Sequence, residues 1–240
     1  MDKIDINAVR NKLEETKKSL PPDIHPGNGV FVPLNLQGTQ QPIFWCFNNW
    51  IEPLSLAHHL GPDQPLFGTR SFHGLLKGKS AKKANVVDLA EIYVDEILEY
   101  HHSGPIILGG NCQAAPIVEA VAHQLLIRGM AAPTLIIVEH QLRYHYPGYV
   151  LHLFGAESEQ FNPFLQGNDP REDWQHQFAA SAWGLIRTGH GQYFRNPAIQ
   201  ELCAYIRMVV AAFRDGVDLP TGEITVNLAL EANSDVEGMQ

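Results

Sequence analysis

The order of segments along the chain constrains its fold more than any other feature of the sequence. Short runs that are apolar throughout alternate with longer stretches in which apolar residues recur every three or four positions. The apolar runs are predicted strands and lie around Ile43, Leu66, Ile106 and Thr134. Strands that are apolar on both faces are typical of parallel sheets buried between helices. The alternation therefore predicts an α/β fold, with a mostly parallel sheet and helices on both of its faces.

Helical spacing is clearest in residues 86–101, where Val86, Ala90, Tyr93 and Ile97 fall on one face. This spacing predicts a helix that packs on the sheet. The other predicted elements after residue 106 are helices at 114–128 and 197–214 and strands at 149–154 and 184–187.

The predicted organisation is one domain with a flanking segment at each end. Residues 1–29 form an amphipathic helix and a Pro-rich connector, residues 30–214 the α/β domain, and residues 215–240 a polar tail. A length of 240 residues suits a single α/β domain.

The charge balance and the cysteine content narrow the class of protein. The net charge is −9, from 26 acidic and 17 basic side chains, whereas a nucleic-acid surface would need a basic excess. Three cysteines, and a start without a basic stretch followed by an apolar run, predict a cytoplasmic protein. No apolar run approaches the roughly 20 residues that cross a bilayer. Neither nucleic acid nor a membrane is a predicted partner.

Residues 106–115 read Ile-Ile-Leu-Gly-Gly-Asn-Cys-Gln-Ala-Ala, a predicted strand that turns directly into a helix. A nucleophile at such a turn needs small residues two positions before and two after it, because the strained backbone brings them against neighbouring chain. Gly110 and Ala114 stand at these positions around Cys112. The helix dipole is expected to favour the thiolate of Cys112. The alternative is a buried structural cysteine.

A cysteine nucleophile requires a base and an acid that orients it, which follow in the chain order nucleophile, acid, histidine. Glu139 directly follows the predicted strand 134–138, at the sheet edge where α/β folds build their sites. His190 stands between two glycines after the predicted strand 184–187. Glu139 and His190 are therefore the candidate acid and base, with a plain solvated Glu139 as the alternative.

A metal site is not predicted from the 12 histidines. Neighbouring histidines at 58–59 and 101–102 point in different directions on a helix. Paired Cys-x-x-Cys and His-Glu-x-x-His motifs are absent from the sequence, which leaves only His140 and His145 as weak candidates.

Residues 59–68 read His-Leu-Gly-Pro-Asp-Gln-Pro-Leu-Phe-Gly, and a Leu-Gly-Gly approach precedes Cys112. With these motifs the chain resembles, over residues 32–207, the thioesterase domains of nonribosomal peptide and polyketide synthases, which are α/β hydrolases. The resemblance implies that Cys112 replaces the family serine, Glu139 the aspartate, and that His190 is the general base.

Two departures from the family pattern bear on the site. Phe-Asn-Asn-Trp at residues 47–50 replaces a Pro- and Gly-rich oxyanion loop, so the backbone N–H groups of Trp50 and Gln113 are the candidate oxyanion donors. Only 51 residues separate Glu139 from His190, so we expect the lid to be short or absent. Either the nucleophile then tolerates exposure to water, or a partner protein supplies the cover.

The resemblance implies a substrate carried on the phosphopantetheine of an acyl or peptidyl carrier protein, with no cofactor of the chain's own. Release of the acyl chain by hydrolysis or cyclisation is the first expectation. Transfer of the acyl or aminoacyl group between carriers is the alternative, and a non-catalytic carrier-binding module comes third. Because carrier proteins are acidic, Lys77, Lys79, Lys82 and Lys83 are either a docking patch or ordinary solvated lysines.

Overall fold

A computed structural model describes residues 5–71, 83–101, 103–142 and 144–226. The predicted docking patch falls outside the described residues, since they exclude Lys77, Lys79, Lys82 and the side chain of Lys83. No helix within these ranges is long and apolar enough to span a bilayer.

One sheet of eight strands forms the centre of the described structure, in the order β1-β3-β2-β4-β5-β6-β7-β8. The strands are β1 (Val32–Leu34), β2 (Ile43–Phe47), β3 (Leu66–Arg70), β4 (Ile107–Asn111), β5 (Thr134–Val138), β6 (Tyr146–Gly155), β7 (Phe178–Ile186) and β8 (Gly222–Glu223). Only β1 runs antiparallel to its neighbour β3, and the other neighbouring pairs are parallel. The prediction of a mostly parallel sheet is confirmed.

Helices cover both faces of this sheet, since every residue of the central strands β2, β4 and β5 is buried. The helices are α1 (Ile6–Lys17), α2 (Ile51–Leu60), α3 (Lys83–Tyr100), α4 (Ala115–Ile127), α5 (Arg171–Gln177) and α6 (Ala198–Asp215). Helix α3 packs on α4, and α2 packs on α6. Parallel neighbours need long crossover connections; α2 connects β2 to β3 and α4 connects β4 to β5.

Helix α1 and the connector that follows it pack against the core of the sheet. Val9 and Leu13 of α1 are buried in the same apolar cluster as the sheet. The Glu96 carboxylate of α3 accepts hydrogen bonds from the backbone N–H groups of Val30 and Phe31. These contacts hold the connector that leads into β1, while the domain boundaries at residues 29 and 214 stay predictions.

The last part of the sheet differs from the predicted elements. Strand β7 begins at Phe178, six positions before the predicted strand 184–187. The prediction missed this first part because the small residues Ala180 and Ser181 interrupt any continuous run of large apolar side chains. Within the predicted polar tail, β8 pairs with β7 at Ala182 and Trp183. The described end of the chain therefore extends the sheet by one short strand.

The interval between β5 and the end of β7 has no room for a large helical lid. It holds β6, α5 and all of β7, so the two predicted strands and one short helix occupy most of it. Residues 156–170 make turns, and α5 has only seven residues. A short or absent lid was predicted, and the observed segment is a compact loop.

Candidate active site

Three predicted side chains follow three parallel strands of the sheet at one edge. Cys112 comes directly after β4, Glu139 directly after β5, and His190 four residues after β7. Carboxyl ends of parallel strands lie together in an open α/β sheet, and ligands bind in the crevice outside them. The topology thus brings residues that are far apart in sequence to one place.

The backbone at Cys112 has the sharp turn that the sequence predicts. Its φ of 54° lies in the left-handed region, which costs a non-glycine residue about 1–2 kcal/mol. Cys112 starts a short 3₁₀ turn that continues into α4. A Cβ added to Gly110 would lie 2.6 Å from Val118 Cγ2, and Ala114 is fully buried. Small side chains are therefore required on both sides of the cysteine.

Cys112, His190 and Glu139 are in contact distance of one another. The Cys112 Sγ lies 3.8 Å from His190 Nε2 and 4.0 Å from Nδ1. His190 Nδ1 bonds the Glu139 Oε2 atom. The Glu139 side chain is 1 % exposed and that of His190 47 %. A proton on Nδ1, directed at the carboxylate, leaves the Nε2 lone pair free to accept the thiol proton.

The second oxygen of the Glu139 carboxylate also has a partner. The Ser158 hydroxyl, which is buried, donates a hydrogen bond to Glu139 Oε1. The buried Tyr193 side chain lies beside the same carboxylate, and burial together with the Glu139 charge raises the pKa of its hydroxyl. Sequence spacing gave no signal for either residue, because both reach Glu139 only through the folded loops.

A loop between β6 and α5 covers part of the histidine. The ring of Phe161 stacks on that of His190, with centroids 4.2 Å apart and planes 21° from parallel. This contact restricts the rotation of the imidazole on one face. The His190 side chain is nevertheless about half exposed.

The electrostatic surroundings of the nucleophile differ from the expectation based on the helix dipole. Burial, then the negative charge of Glu139 and more weakly that of Glu52, raise the pKa of the Cys112 thiol, although a hydrogen bond from the Gln113 N–H lowers it. The predicted preference for thiolate is therefore wrong for the free protein. One N–H at the start of a short 3₁₀ turn does not outweigh burial and two nearby carboxylates.

The two candidate oxyanion donors lie in different places. Gln113 lines the cavity beside Cys112, whereas Trp50 does not. The Trp50 ring is buried, and its indole N–H donates to Thr16 Oγ1 at 3.1 Å. Asn48 lines the cavity instead, but its backbone N–H already donates to Glu52 at 3.0 Å.

The cavity at the cysteine has a volume of about 250 Å³, and its walls also include Glu52, Asn111 and Phe194. This is slightly below the roughly 300–1,000 Å³ of pockets for drug-sized ligands. Glu52 was missed as a site residue, although Asn49-x-x-Glu52 has the spacing of a helix capping box.

The same three side chains form the one group of potential metal ligands in the described part of the chain, with ligand atoms within 4.8 Å of one another. Catalytic zinc sites have three protein ligands. Because Nδ1 of His190 bonds Glu139, only the Cys112 sulfur and Nε2 remain free to bind an ion. The arrangement suits a proton relay better than a metal centre.

Comparison with known proteins places the chain near peptide synthetases. No family model matches it. It is 32% identical over 115 residues to chondramide synthase cmdD of Chondromyces crocatus, a match that covers 46% of this chain and 3% of the synthase. It is 27% identical over 119 residues to malpibaldin synthetase of Mortierella alpina, covering 48% and 2%. The chain thus spans a very small part of either relative.

Solved thioesterase structures share its fold. The NocB thioesterase domain from the nocardicin cluster has a TM-score of 0.58 at 15% identity, over 76% of this chain and 99% of that domain. YbtT, a type II thioesterase of the yersiniabactin pathway, has a TM-score of 0.56 at 13% identity, over 79% of this chain and 100% of YbtT. The chain has the α/β-hydrolase fold, as predicted.

Proposed function

We propose that this chain is a thioesterase-like enzyme of nonribosomal peptide or polyketide biosynthesis. It takes an acyl or peptidyl group from the phosphopantetheine thiol of a carrier protein onto Cys112, and releases the group by hydrolysis or cyclisation. The observation that carries the proposal is the 3.8 Å approach of Cys112 Sγ to His190 Nε2, with Glu139 bonded to the opposite ring nitrogen.

In the proposed first step, His190 Nε2 removes the thiol proton as Sγ attacks the thioester carbonyl carbon. Because the pKa of Cys112 is raised, a base that acts during the attack is more effective than a standing thiolate. The imidazolium formed is stabilised by Glu139. His190 then returns the proton to the sulfur of the leaving phosphopantetheine, and the acyl group stays on Cys112 as a thioester.

The negative oxygen formed during the attack needs hydrogen-bond donors. The Gln113 N–H, at the cavity wall, is the first proposed donor, and one such donor contributes about 2.7–4 kcal/mol in acyl transfer. The Trp50 N–H remains the proposed second donor, for which the backbone at residues 49–50 would have to approach the cavity. The Asn48 side-chain amide, already at the wall, is a further candidate for this role.

Transfer from one thiol to another conserves the thioester, so the acyl group on Cys112 remains activated. Water or an internal hydroxyl or amine would release it, whereas the thiol of a second carrier would accept it in a shuttle. The 47 % exposure of the His190 side chain supports water as an acceptor, because the base that would activate it is open to solvent. The closeness of all three side chains argues against a non-catalytic module.

The proposal includes no cofactor of the chain's own, and it names a carrier protein as the partner. The cytoplasm remains the predicted location. Among the described residues, Cys46, Cys112 and Cys203 form no disulfide, which is compatible with a reducing compartment.

Intact-mass analysis after incubation with acyl-loaded carrier protein tests the proposal. We expect a mass increase equal to the acyl group on the wild type and none on Cys112→Ala, while Cys46→Ala and Cys203→Ala retain it. Cys46 and Cys203 are matched controls because both are buried. A wild type that neither carries an adduct nor releases any carrier-bound acyl group tried, or an adduct that persists in Cys112→Ala, would refute the proposal.

A further inference from the structure

Glu52 is a second carboxylate in the cavity of Cys112, and the proposed reaction does not use it. It lies in the first turn of α2 and forms part of the cavity wall together with Cys112 and His190. Its Oε2 atom lies 3.3 Å from Nδ2 of Asn111, the residue directly before the nucleophile. Its negative charge is one of the causes that raise the pKa of the Cys112 thiol.

The charge of Glu52 is only partly compensated by its neighbours. Its carboxylate accepts hydrogen bonds from the Asn48 N–H at 3.0 Å and from Asn49 Nδ2 at 2.7 Å, besides that from Asn111. Burial nevertheless raises the pKa of Glu52, because it outweighs all of these donors. A half-buried carboxylate in this condition is stabilised by a cation.

The protein itself supplies no such cation in the residues described. No Lys or Arg there lies within ion-pair distance of Glu52, and none lines the cavity. The cavity wall therefore carries two carboxylates, of Glu52 and Glu139, against the single imidazole of His190. The negative potential of these two carboxylates disfavours a thiolate on Cys112, and for the same reason it favours a positive charge bound beside the sulfur.

A protonated amine in the acyl group would lie within this negative potential. In an aminoacyl group on Cys112, the α-nitrogen is three bonds from the sulfur, or roughly 4 Å away, given backbone bond lengths of about 1.5 Å. It therefore stays inside the same cavity as Glu52. A larger acyl chain has to extend beyond about 250 Å³, whereas a single aminoacyl group does not.

We propose that Glu52 recognises a protonated amine on the acyl group, so that the preferred substrates are aminoacyl thioesters. The inference deepens the proposed function and rests on it for the identity of the acyl donor. It names Glu52 as a specificity-determining residue. It also favours a substrate that would suit the aminoacyl shuttle as well as release.

A helix-capping role explains some of the same contacts. Asn49 Oδ1 accepts the N–H groups of Ile51 and Glu52, and Glu52 reaches back to the Asn48 N–H. Capping alone predicts that loss of Glu52 lowers stability without changing which charge the cavity prefers. Glu52→Gln separates the two roles, because the amide keeps an acceptor for the Asn48 N–H and loses the negative charge.

The test compares alanyl-pantetheine and lactyl-pantetheine thioesters, which differ in shape only by ammonium against hydroxyl. We expect the ratio of Cys112 acylation rates, alanyl over lactyl, to fall about tenfold or more in Glu52→Gln, the loss expected for a hydrogen bond to a charged group. The two thioesters differ in intrinsic reactivity, but this difference is the same for wild type and variant and cancels when their alanyl-to-lactyl ratios are compared. Glu172→Gln, which removes an exposed charge on α5, is the control and should keep the wild-type ratio.

Labelling of Cys112 by methanethiosulfonates needs no catalysis and provides the second readout. The aminoethyl reagent is cationic and the sulfonatoethyl reagent anionic, and each converts the thiol to a mixed disulfide with loss of methanesulfinate. We expect the cation-to-anion rate ratio to fall about fivefold or more in Glu52→Gln and to be unchanged in Glu172→Gln. Failure of both thioesters to load, with charge-selective labelling retained, would refute the proposed function and support the cation site. Loading and labelling ratios that are equal in wild type and Glu52→Gln would overturn the role of Glu52.

Discussion

The Cys112 sulfur faces Nε2 of His190 at 3.8 Å, the ring nitrogen that Glu139 does not bond. This relationship assigns different tasks to the two nitrogens. Nδ1 anchors the ring to a buried carboxylate, and Nε2 is left to exchange a proton with sulfur. The distance exceeds that of a strong hydrogen bond, as is common in enzymes without a bound substrate.

Removal of the imidazole should slow acylation more than any change outside the cysteine itself. General-base catalysis contributes about 10²–10⁴-fold, so His190→Ala should lose at least about 100-fold in the single-turnover rate of Cys112 loading. His145→Ala, which removes an exposed histidine, is the matched control. Intact-mass time courses measure both. Loading of His190→Ala at the wild-type rate would exclude His190 as the base.

Glu139→Gln should have opposite effects on two reactions of the same sulfur. The Glu139 charge raises the pKa of Cys112, so its removal increases the thiolate fraction at a given pH. Alkylation by iodoacetamide, which needs only thiolate, should therefore move to lower pH in the variant. Acyl loading should slow, because the imidazolium loses its counter-charge. A pH series of alkylation rates, measured beside acyl loading, checks both directions, and an unchanged alkylation profile would contradict the electrostatic cause.

Ser158 should act through Glu139 as a positioning residue. Its hydroxyl donates to the carboxylate oxygen that His190 does not use. Ser158→Ala removes this hydrogen bond from a buried carboxylate, which costs about 1–3 kcal/mol. We expect loading to slow about tenfold and Ser158→Thr, which keeps the hydroxyl, to restore it. A purely structural role would lower the Tm in Ser158→Ala without changing the pH dependence of loading, so both are measured.

The elements that the sequence predicts best are those with complete apolar runs. Strand β5 has the predicted bounds, since all five of its residues are buried and Pro133 and Glu139 flank it. The early part of β7 and the two-residue β8 escape prediction. Residues 179–182 of β7 are small and β8 is Gly-Glu, so pairing with neighbouring strands is what defines both segments as strands. That pairing is long-range and leaves no local pattern.

The candidate site also divides into residues that a local sequence pattern predicts and residues that only long-range contacts bring together. Cys112, Glu139 and His190 are predicted from sequence because a strand end precedes each of them, which is a local signal. Ser158 comes next to Glu139, and Glu52 near Cys112, only in the folded chain. The raised thiol pKa likewise depends on burial and on charges brought in from other segments, so a helix dipole read from sequence gave the wrong direction.

A buried histidine away from the site should control stability in acid. His152 in β6 is fully buried, and its ring stacks on Trp174 at 4.3 Å with parallel planes. Neither ring nitrogen has a hydrogen-bond partner. Burial lowers the pKa of His152 from 6.5 to about 3. The folded protein therefore holds the neutral ring, while the unfolded chain takes up a proton already near pH 6.5.

Between these two pKa values the unfolded state binds more protons, so stability falls as the pH drops below about 6.5 and stays level above it. At pH 5 the loss attributable to His152 is about 2 kcal/mol, at about 1.4 kcal/mol per pH unit. His152→Phe keeps a ring in the stack with Trp174 and removes the titrating group. We expect the variant to lose about 2 kcal/mol less than the wild type in the free energy of unfolding between pH 7.5 and 5, measured by urea denaturation. Equal losses in the two proteins would show that His152 does not set the acid limit.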